Sequence, residues 1–264
     1  MAISDFAGST ATAYRRFRPD IPTGLVQQLQ VALGLDAHDR VLDLGAGTGQ
    51  ITVPLAARVG TVLALDPEPD MLGQLFARVR EQQIDNVLCL LGSDQDLPTL
   101  AALIGESTLG GITIGNALHW MDASTVFRSA LPLLRPRGGI AVITPGRPLW
   151  LAEHEWGKAL RQYLEPWTGP LSWNCGSDLE TLNERREALM ASGFADTEVL
   201  HHRHRAMLDA DFVLGHLYSA MSERQIPVDR RPEFETGLKQ TLARYGPELL
   251  EEDLVSVLVG RRST

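Results

Sequence analysis

The stretch Val41-Leu42-Asp43-Leu44-Gly45-Ala46-Gly47-Thr48-Gly49 decides the fold. Val41, Leu42 and Leu44 read as a short buried strand. The three alternate glycines behind them let the backbone turn sharply and approach a ligand with no Cβ in the way. Gln50 and Ile51 then open a segment of helical composition. A second apolar run, TVLALD at 61–66, carries Asp66 to the end of the next strand. In a parallel sheet this is where a carboxylate accepts hydrogen bonds from the hydroxyls of a ribose.

Several nucleotide sites share a glycine turn and a downstream acid, so the details must choose. The dinucleotide fingerprint G-x-G-x-x-G needs glycine at 50, where this chain has Gln50. A phosphate-cradling loop ends in G-K-[ST], and the lysines here, Lys158 and Lys239, lie far away. Asp43, two places before the first glycine, works against a pyrophosphate and suits a ligand end bearing an ammonium and a sulfonium. At this point Asp43-Leu44-Gly45-Ala46-Gly47-Thr48-Gly49 resembles the first motif, D/E-x-G-x-G-x-G, of the class I S-adenosylmethionine-dependent methyltransferases, in their small-molecule, type 11-like branch. Three later matches strengthen the resemblance: Asp66, the segment 87–98 and the rim 116–122. It is specific over 40–144 and architectural over the remainder.

The resemblance implies an α/β, Rossmann-like fold over 1–264, a seven-stranded, mostly parallel sheet with an antiparallel last strand and a helical cap. Within it, 1–34 form an N-terminal helical cap, 35–144 the cofactor-binding core and 145–175 an aromatic-rich lid. Residues 176–264 complete the sheet, with cap helices inserted at 208–245. The implied cofactor is S-adenosyl-L-methionine. The implied activity moves its methyl group to O, N or C of a small, hydrophobic or aromatic metabolite, as in natural-product biosynthesis. The alternative from another class is a non-methylating member of the fold, a cyclase, rearrangement enzyme or regulatory binder that retains the cofactor.

Composition narrows the partners. The 264 residues, 44% hydrophobic, carry 24 basic and 33 acidic side chains for a formal charge of −9, which disfavours general nucleic-acid binding. Cys89 and Cys175 make no disulfide framework and read as thiols in a reducing cytosol. No export signal heads the chain, and no run reaches the ~20 apolar residues of a membrane span. A cytoplasmic monomer or homodimer acting on a small molecule is the expectation.

Along the chain, Phe6, Thr10, Tyr14 and Phe17 line one side of a helix ending before Pro19, which predicts that residues 1–20 fold back over the body. In the family resembled, such a segment caps the cofactor, with Tyr14 near its methionine end and Arg18 near that end or the substrate. Leu25, Val26, Leu29 and Leu33 predict an amphipathic helix over 23–34. After Asp66, the stripe from Met71 to Val79 predicts a helix whose apolar face is core. Pro67 offers a flat surface beside an adenine, and Met71 begins the stripe at the same place. The loop after strand 87–91 offers Ser93 and Asp94 to the adenine edge, with Asp96 as a rival that reads equally as a cap.

The fourth strand, 110–115, ends in Asn116-Ala117-Leu118-His119-Trp120, on the carboxyl rim where ligands sit. The resemblance implies that His119 and Trp120 face the transfer chamber. Asn116 is the candidate for the methionine end, Trp120 either stacks on substrate or walls off the sulfonium, and His119 is the candidate general base for a hydroxyl or phenol acceptor. Pro132 interrupts the apolar pattern of helix 123–134, and Arg135-Pro136-Arg137-Gly138-Gly139 reads as a turn before a strand at 140–144. Trp150, Trp156, Trp167 and Trp173 crowd 145–175. A helix at 148–165 there precedes a broken EPWTGPLSW stretch. Trp150 and Trp173 are the substrate-facing candidates, and packing within the insertion is the competing reading. Ser177-Asp178-Leu179-Glu180 reads as a capping box for helix 178–192. His201, His202 and His204 sit on a strand at 194–207 with no acid or cysteine completing a metal set, so a partly exposed strand is the reading and no metal is expected. Two further helices, 208–221 and 232–245, precede a last strand at 253–259 that pairs antiparallel with 194–207.

Overall fold

The computed structural model describes residues 6–171, 178–221 and 225–264. Helices α1 (Ser9–Phe17) and α2 (Thr23–Leu33) lead into an alternating run: β1 (Arg40–Leu44), α3 (Thr52–Ala56), β2 (Thr61–Asp66), α4 (Pro69–Glu81), β3 (Val87–Leu91), α5 (Leu97–Ile104), β4 (Leu109–Gly115), α6 (Ala123–Ala130) and β5 (Leu134–Thr144). Then come α7 (Glu155–Thr168), α8 (Leu179–Ala191), β6 (Asp196–Leu208), α9 (Ala210–Tyr218), α10 (Arg231–Leu242) and β7 (Leu249–Arg261). The strands form one seven-stranded sheet in the order β3-β2-β1-β4-β5-β7-β6. From β3 to β5 every pairing is parallel, and β7 runs antiparallel to both β5 and β6.

Strand alternation divides the core between the sheet's two faces. Leu42, Leu44, Ile112, Ile114, Ile140 and Val142 face one way and bury Phe127 of α6 and Leu189 of α8. Val41, Val62, Ala141, Ile143 and Val257 face the other way, against Leu25, Leu29 and Leu33 of α2. Phe127 is fully buried, and cutting such a ring back to alanine costs about 3–5 kcal/mol. Gly34 ends α2 in the left-handed conformation, φ 59°. Asp122 caps α6 through a 2.7 Å bond from the Thr125 amide.

A third core lies beyond the sheet's carboxyl edge. Trp150, Trp156, Leu160 and Leu164 from the first insertion meet Val213, Leu217, Phe234 and Leu238 from α9 and α10, so two distant stretches build one cap. Helix α1 ties that cap to the cofactor-side core. Phe17 fills the space that a side chain at Gly215 of α9 would need, its Cδ2 lying 2.2 Å from where a Cβ would stand. At its other end the Gly8 amide donates to Asp70 at 2.7 Å, and from its last turn Arg15 pairs with Glu81, both partners on α4.

Several local expectations are corrected. Helix α6 stops at Ala130, and Leu131–Leu133 form a 3-10 turn around Pro132. The fifth strand begins at Leu134 and not at 140. Between the pairs Leu109↔Leu134 and Gly111↔Gly139, β4 advances two residues while β5 advances five, so 135–138 bulge outward. Arg135 fastens the bulge to Asp39 at 2.9 and 3.0 Å. Arg137 has φ 63°, a left-handed backbone that glycine would adopt without strain. Helix α7 starts at Glu155, with His154 as its cap, and continues through Pro166 to Thr168, ending at Gly169 with φ 77°. Its last turn lays Trp167 against Phe234 and under the Arg230 guanidinium. The cap of α8 is Asp178, which accepts from the Thr181 amide at 2.8 Å. Ser177, offered as part of that box, lies outside the described residues, as do Trp173 and Cys175.

Candidate functional site

The loop after β1 is tied to β2 by its own backbone. The Gly45 and Ala46 amides donate to Leu65 O at 2.8 and 3.1 Å, and the Gly47 amide donates to Asp66 Oδ2 at 2.8 Å. Asp66 Oδ1 accepts from the Glu68 amide at 2.9 Å. Each carboxylate oxygen therefore keeps a lone pair for a further donor. Burial raises the Asp66 carboxyl above its ordinary value, against the pull of those two amides. A Cβ on Gly45 would stand 2.5 Å from Ala117 Cβ, so the loop leaves its cleft open because glycine occupies that position. Gly49 serves packing: its missing Cβ would fall 2.4 Å from Leu75 Cδ1, and it lets α4 close on the loop.

The cleft has two lobes. Tyr14, Gly45, Gly47, Asp66, Pro67, Met71, Ser93, Asp94 and Asn116 border the first, of about 120 Å³. The second, about 210 Å³, is walled by Asp43, Ala46, Gln50 and Ile51, with Tyr14 and Asn116 again. Asp94 borders the first lobe with Ser93, while Asp96 accepts from the Ser93 amide at 2.8 Å in a capping box and stands off the cleft. Met71 is both wall and core, at 4% exposure. Asp43 lies beneath the loop, where its oxygens accept from Thr52 Oγ1 at 2.6 Å and Thr113 Oγ1 at 2.8 Å. Burial, with the nearby Asp66 charge adding, raises its carboxyl to about 6. At 1% exposure beneath the loop it is shielded from direct contact, so what it offers the cleft is charge.

A larger chamber of about 420 Å³ adjoins the cleft and shares Tyr14, Arg18 and Asn116 with it. His119 and Trp120 stand on its rim, their rings 4.9 Å apart, and Phe6 meets Trp120 edge-on at 5.9 Å. Desolvation of the His119 ring and the positive charge of Arg185 lower it to about 4. It is thus neutral near pH 7 and a weak base. Arg18 donates from Nε to Ser219 Oγ at 2.8 Å and lies 5.3 Å over the Tyr14 ring. Trp150 borders the chamber but is 2% exposed and belongs to the cap core. Trp156 stacks on His154 and donates to Leu250 O at 3.0 Å. The described tryptophans of this insertion thus mainly pack the cap.

Sequence reasoning missed Glu68 and Met121 on the first lobe and His204, Asp209, His216, Glu251 and Asp253 on the chamber. Glu68 caps α4, its side chain accepting from the Asp70 amide. The others carry no local signal, because strand pairing and cap folding bring them in. Among the described residues no cluster of three His, Cys, Asp or Glu suits a metal, and no helix is long and apolar enough to cross a membrane.

The donor set fits S-adenosylmethionine. An acid with spare lone pairs sits at the end of β2, a second acid and a serine follow β3, and glycine holds the cradle open. Asn116, at φ 50°, keeps a buried Oδ1 with no hydrogen-bond partner, an acceptor suited to a ligand ammonium. Residues 41–138 match a family described as a methyltransferase domain. Over that stretch the chain is similar to methyltransferase domains, and the sheet order and glycine loop are consistent with a fold of that kind. An uncharacterized methyltransferase of Mycobacterium tuberculosis is 33% identical over 136 residues, 52% of this chain and 50% of that protein. The chain spans about half the length of the curated relatives it matches. Phosphoethanolamine N-methyltransferase 2 of Haemonchus contortus, in complex with S-adenosyl-L-methionine, superposes with a TM-score of 0.57 at 16% identity, over 100% of this chain and 60% of that one. The [4+2]-cyclase SpnF gives 0.53 at 16% identity, over 92% and 82%. At such identities the likeness concerns the fold alone.

Proposed function

We propose that this chain transfers the methyl group of S-adenosylmethionine to a small molecule held in the chamber. The observation that carries the reading is the shared wall: Tyr14 and Asn116 border both cleft lobes and the chamber, so one ligand end meets the other there. Asp66 would hold the ribose hydroxyls, Ser93 and Asp94 the adenine edge, and Pro67 and Met71 its faces. Gly45, Ala46 and Gly47 would give close backbone approach, and Asn116 with Tyr14 would hold the methionine end. When bound, the cofactor supplies a methyl group already activated by its sulfonium. The protein's tasks are then alignment and exclusion of water, and holding two groups in line supplies several kcal/mol of the barrier.

Helix α1 serves both tasks by lying between α4 and α9, with Tyr14 turned to the cavity. Phe6, Trp120, Trp150 and Phe212 give the chamber an aromatic wall suited to an apolar or aromatic acceptor. The test incubates the full chain with S-adenosylmethionine and a panel of small aromatic amines, phenols and acids. S-adenosylhomocysteine is expected to accumulate only when an acceptor is present. Cofactor binding with no methylated product across the panel would favour a non-methylating member of the fold.

A further inference from the structure

Strands β6 and β7 run on past the body of the sheet, and their register sets His204 opposite Asp253 and Ala206 opposite Glu251. Directly opposed residues of antiparallel strands share a face, with Cβ atoms about 5 Å apart. All four border the chamber, and His204 and Asp253 also border the second lobe of the cofactor cleft. The chamber therefore meets the cleft at a histidine–acid pair. The third histidine of the His201-His202-x-His204 run, unremarkable in sequence, thereby acquires a position.

The surroundings of this pair are acceptors. A Cβ on Gly146 would stand 1.8 Å from Asp253 Oδ1, so the missing side chain makes room for the carboxylate. Glu251 Oε2 receives the Nε2–H of His154 at 2.7 Å, a tautomer fixed because His154 Nδ1 accepts from the Gly157 amide at 3.0 Å. His216 borders chamber and cleft alike, and its Nδ1 is buried without a partner. Arg147 of the wall pairs with Glu153, and Arg18 donates to Ser219 while its charge still reaches His216. Desolvated acceptors and carboxylates favour a ligand that brings N–H donors and positive charge.

We propose that the chamber takes an amine, whose nitrogen docks against the His204–Asp253 pair and His216 Nδ1 and gives a proton to Asp253. This rests on the methyl-transfer reading above. An ammonium R–NH3+ passes one proton to the Asp253 carboxylate. The freed nitrogen pair forms the N–CH3 bond, the C–S pair stays on sulfur, and the product leaves as R–NH2+–CH3. The charge acting on Asp253 is that of His204, opposite it on β6, while Glu251, Asp209, His119, His216, Arg18 and Arg147 border the same chamber. Burial raises the Asp253 carboxyl, against the Leu254 and Gly146 amides and the His204 charge, which suits a group that must accept a proton.

Calorimetry on the full chain saturated with S-adenosylhomocysteine, using benzylamine and benzyl alcohol as probes near pH 7, tests the proposal. Wild type is expected to bind the amine at least about tenfold more tightly than the alcohol, the scale of a charge-assisted hydrogen bond. In Asp253→Asn that preference is expected to shrink to about twofold or less. No amine preference in wild type, including no binding of either probe, overturns the proposal, and so does a preference left intact in a folded Asp253→Asn. If that variant does not fold, the wild-type contrast alone decides. Failure of S-adenosylhomocysteine itself to bind would strike the methyl-transfer reading instead.

Discussion

The two ends of the ligand cavity are built on different plans. At the adenosine end, most of the wall lies at or just after a strand's end, with Gly45 and Gly47 after β1, Asp66 and Pro67 at the end of β2, and Ser93 and Asp94 after β3. Parallel strands in register bring these loops to one rim, so short local motifs suffice. In the chamber, Arg18, Trp150, His204, His216 and Asp253 come from five separate stretches, and none is positioned by its own neighbours in sequence. A fold can keep the first end while the second changes, because the chamber's wall belongs to a cap with its own core.

Substitutions can break or sharpen this contrast. The largest effect is expected at the adenosine end. Asp66→Ala removes the carboxylate proposed to accept from the ribose hydroxyls and should weaken S-adenosylhomocysteine binding ~100-fold by calorimetry; unchanged affinity would dissolve the distinction between the ends. Next is Asp43, below the loop. Its folded value of about 6 lies above its ordinary 3.8, so the folded state holds the extra proton. That contribution is fully present below pH ~4 and is lost as pH rises through ~6, about 2–3 kcal/mol in all. Denaturant melts of wild type against Asp43→Asn should therefore diverge by that amount between pH 4 and 7, with wild type losing ground as pH rises.

Smaller effects are expected farther from the adenosine end. His119→Ala should lower turnover less than about tenfold, since a base lowered to about 4 has little affinity for a proton near neutrality. A loss of ~100-fold or more would return the base role to the rim. Arg137→Gly, at the opposite end of the sheet, should stabilise the chain by about 1 kcal/mol in denaturant melts by relieving the left-handed backbone. It should leave ligand binding at both ends as it was.

The same contrast explains what was legible in the sequence. The parallel body of the sheet and the loops at its rim were readable because a glycine turn and a strand-end acid are contiguous signals. Gly49 matched the motif yet proved to be a packing residue, since only the approach of Leu75 distinguishes it from Gly47. The start of β5 was hidden because Pro132 and Pro136 look like loop residues, and only pairing with β4 and the Arg135–Asp39 bridge reveal a bulge. His204 and Asp253 lie 49 positions apart on strands whose register no local pattern prints. The tryptophans signalled a separate layer, but which of them pack and which face the chamber depended on α9 and α10.

The central claim is that the cleft between β1 and β2 holds an adenosyl ligand on Asp66. A crystal structure of the full chain grown with S-adenosylhomocysteine tests it most directly. The account predicts ribose hydroxyls within hydrogen-bond distance of the Asp66 carboxylate, the adenine edge at Ser93 and Asp94, and the sulfur turned toward the chamber. Ligand density elsewhere, or an adenosyl group in the cleft with Asp66 bonded only to Gly47 and Glu68, would contradict it.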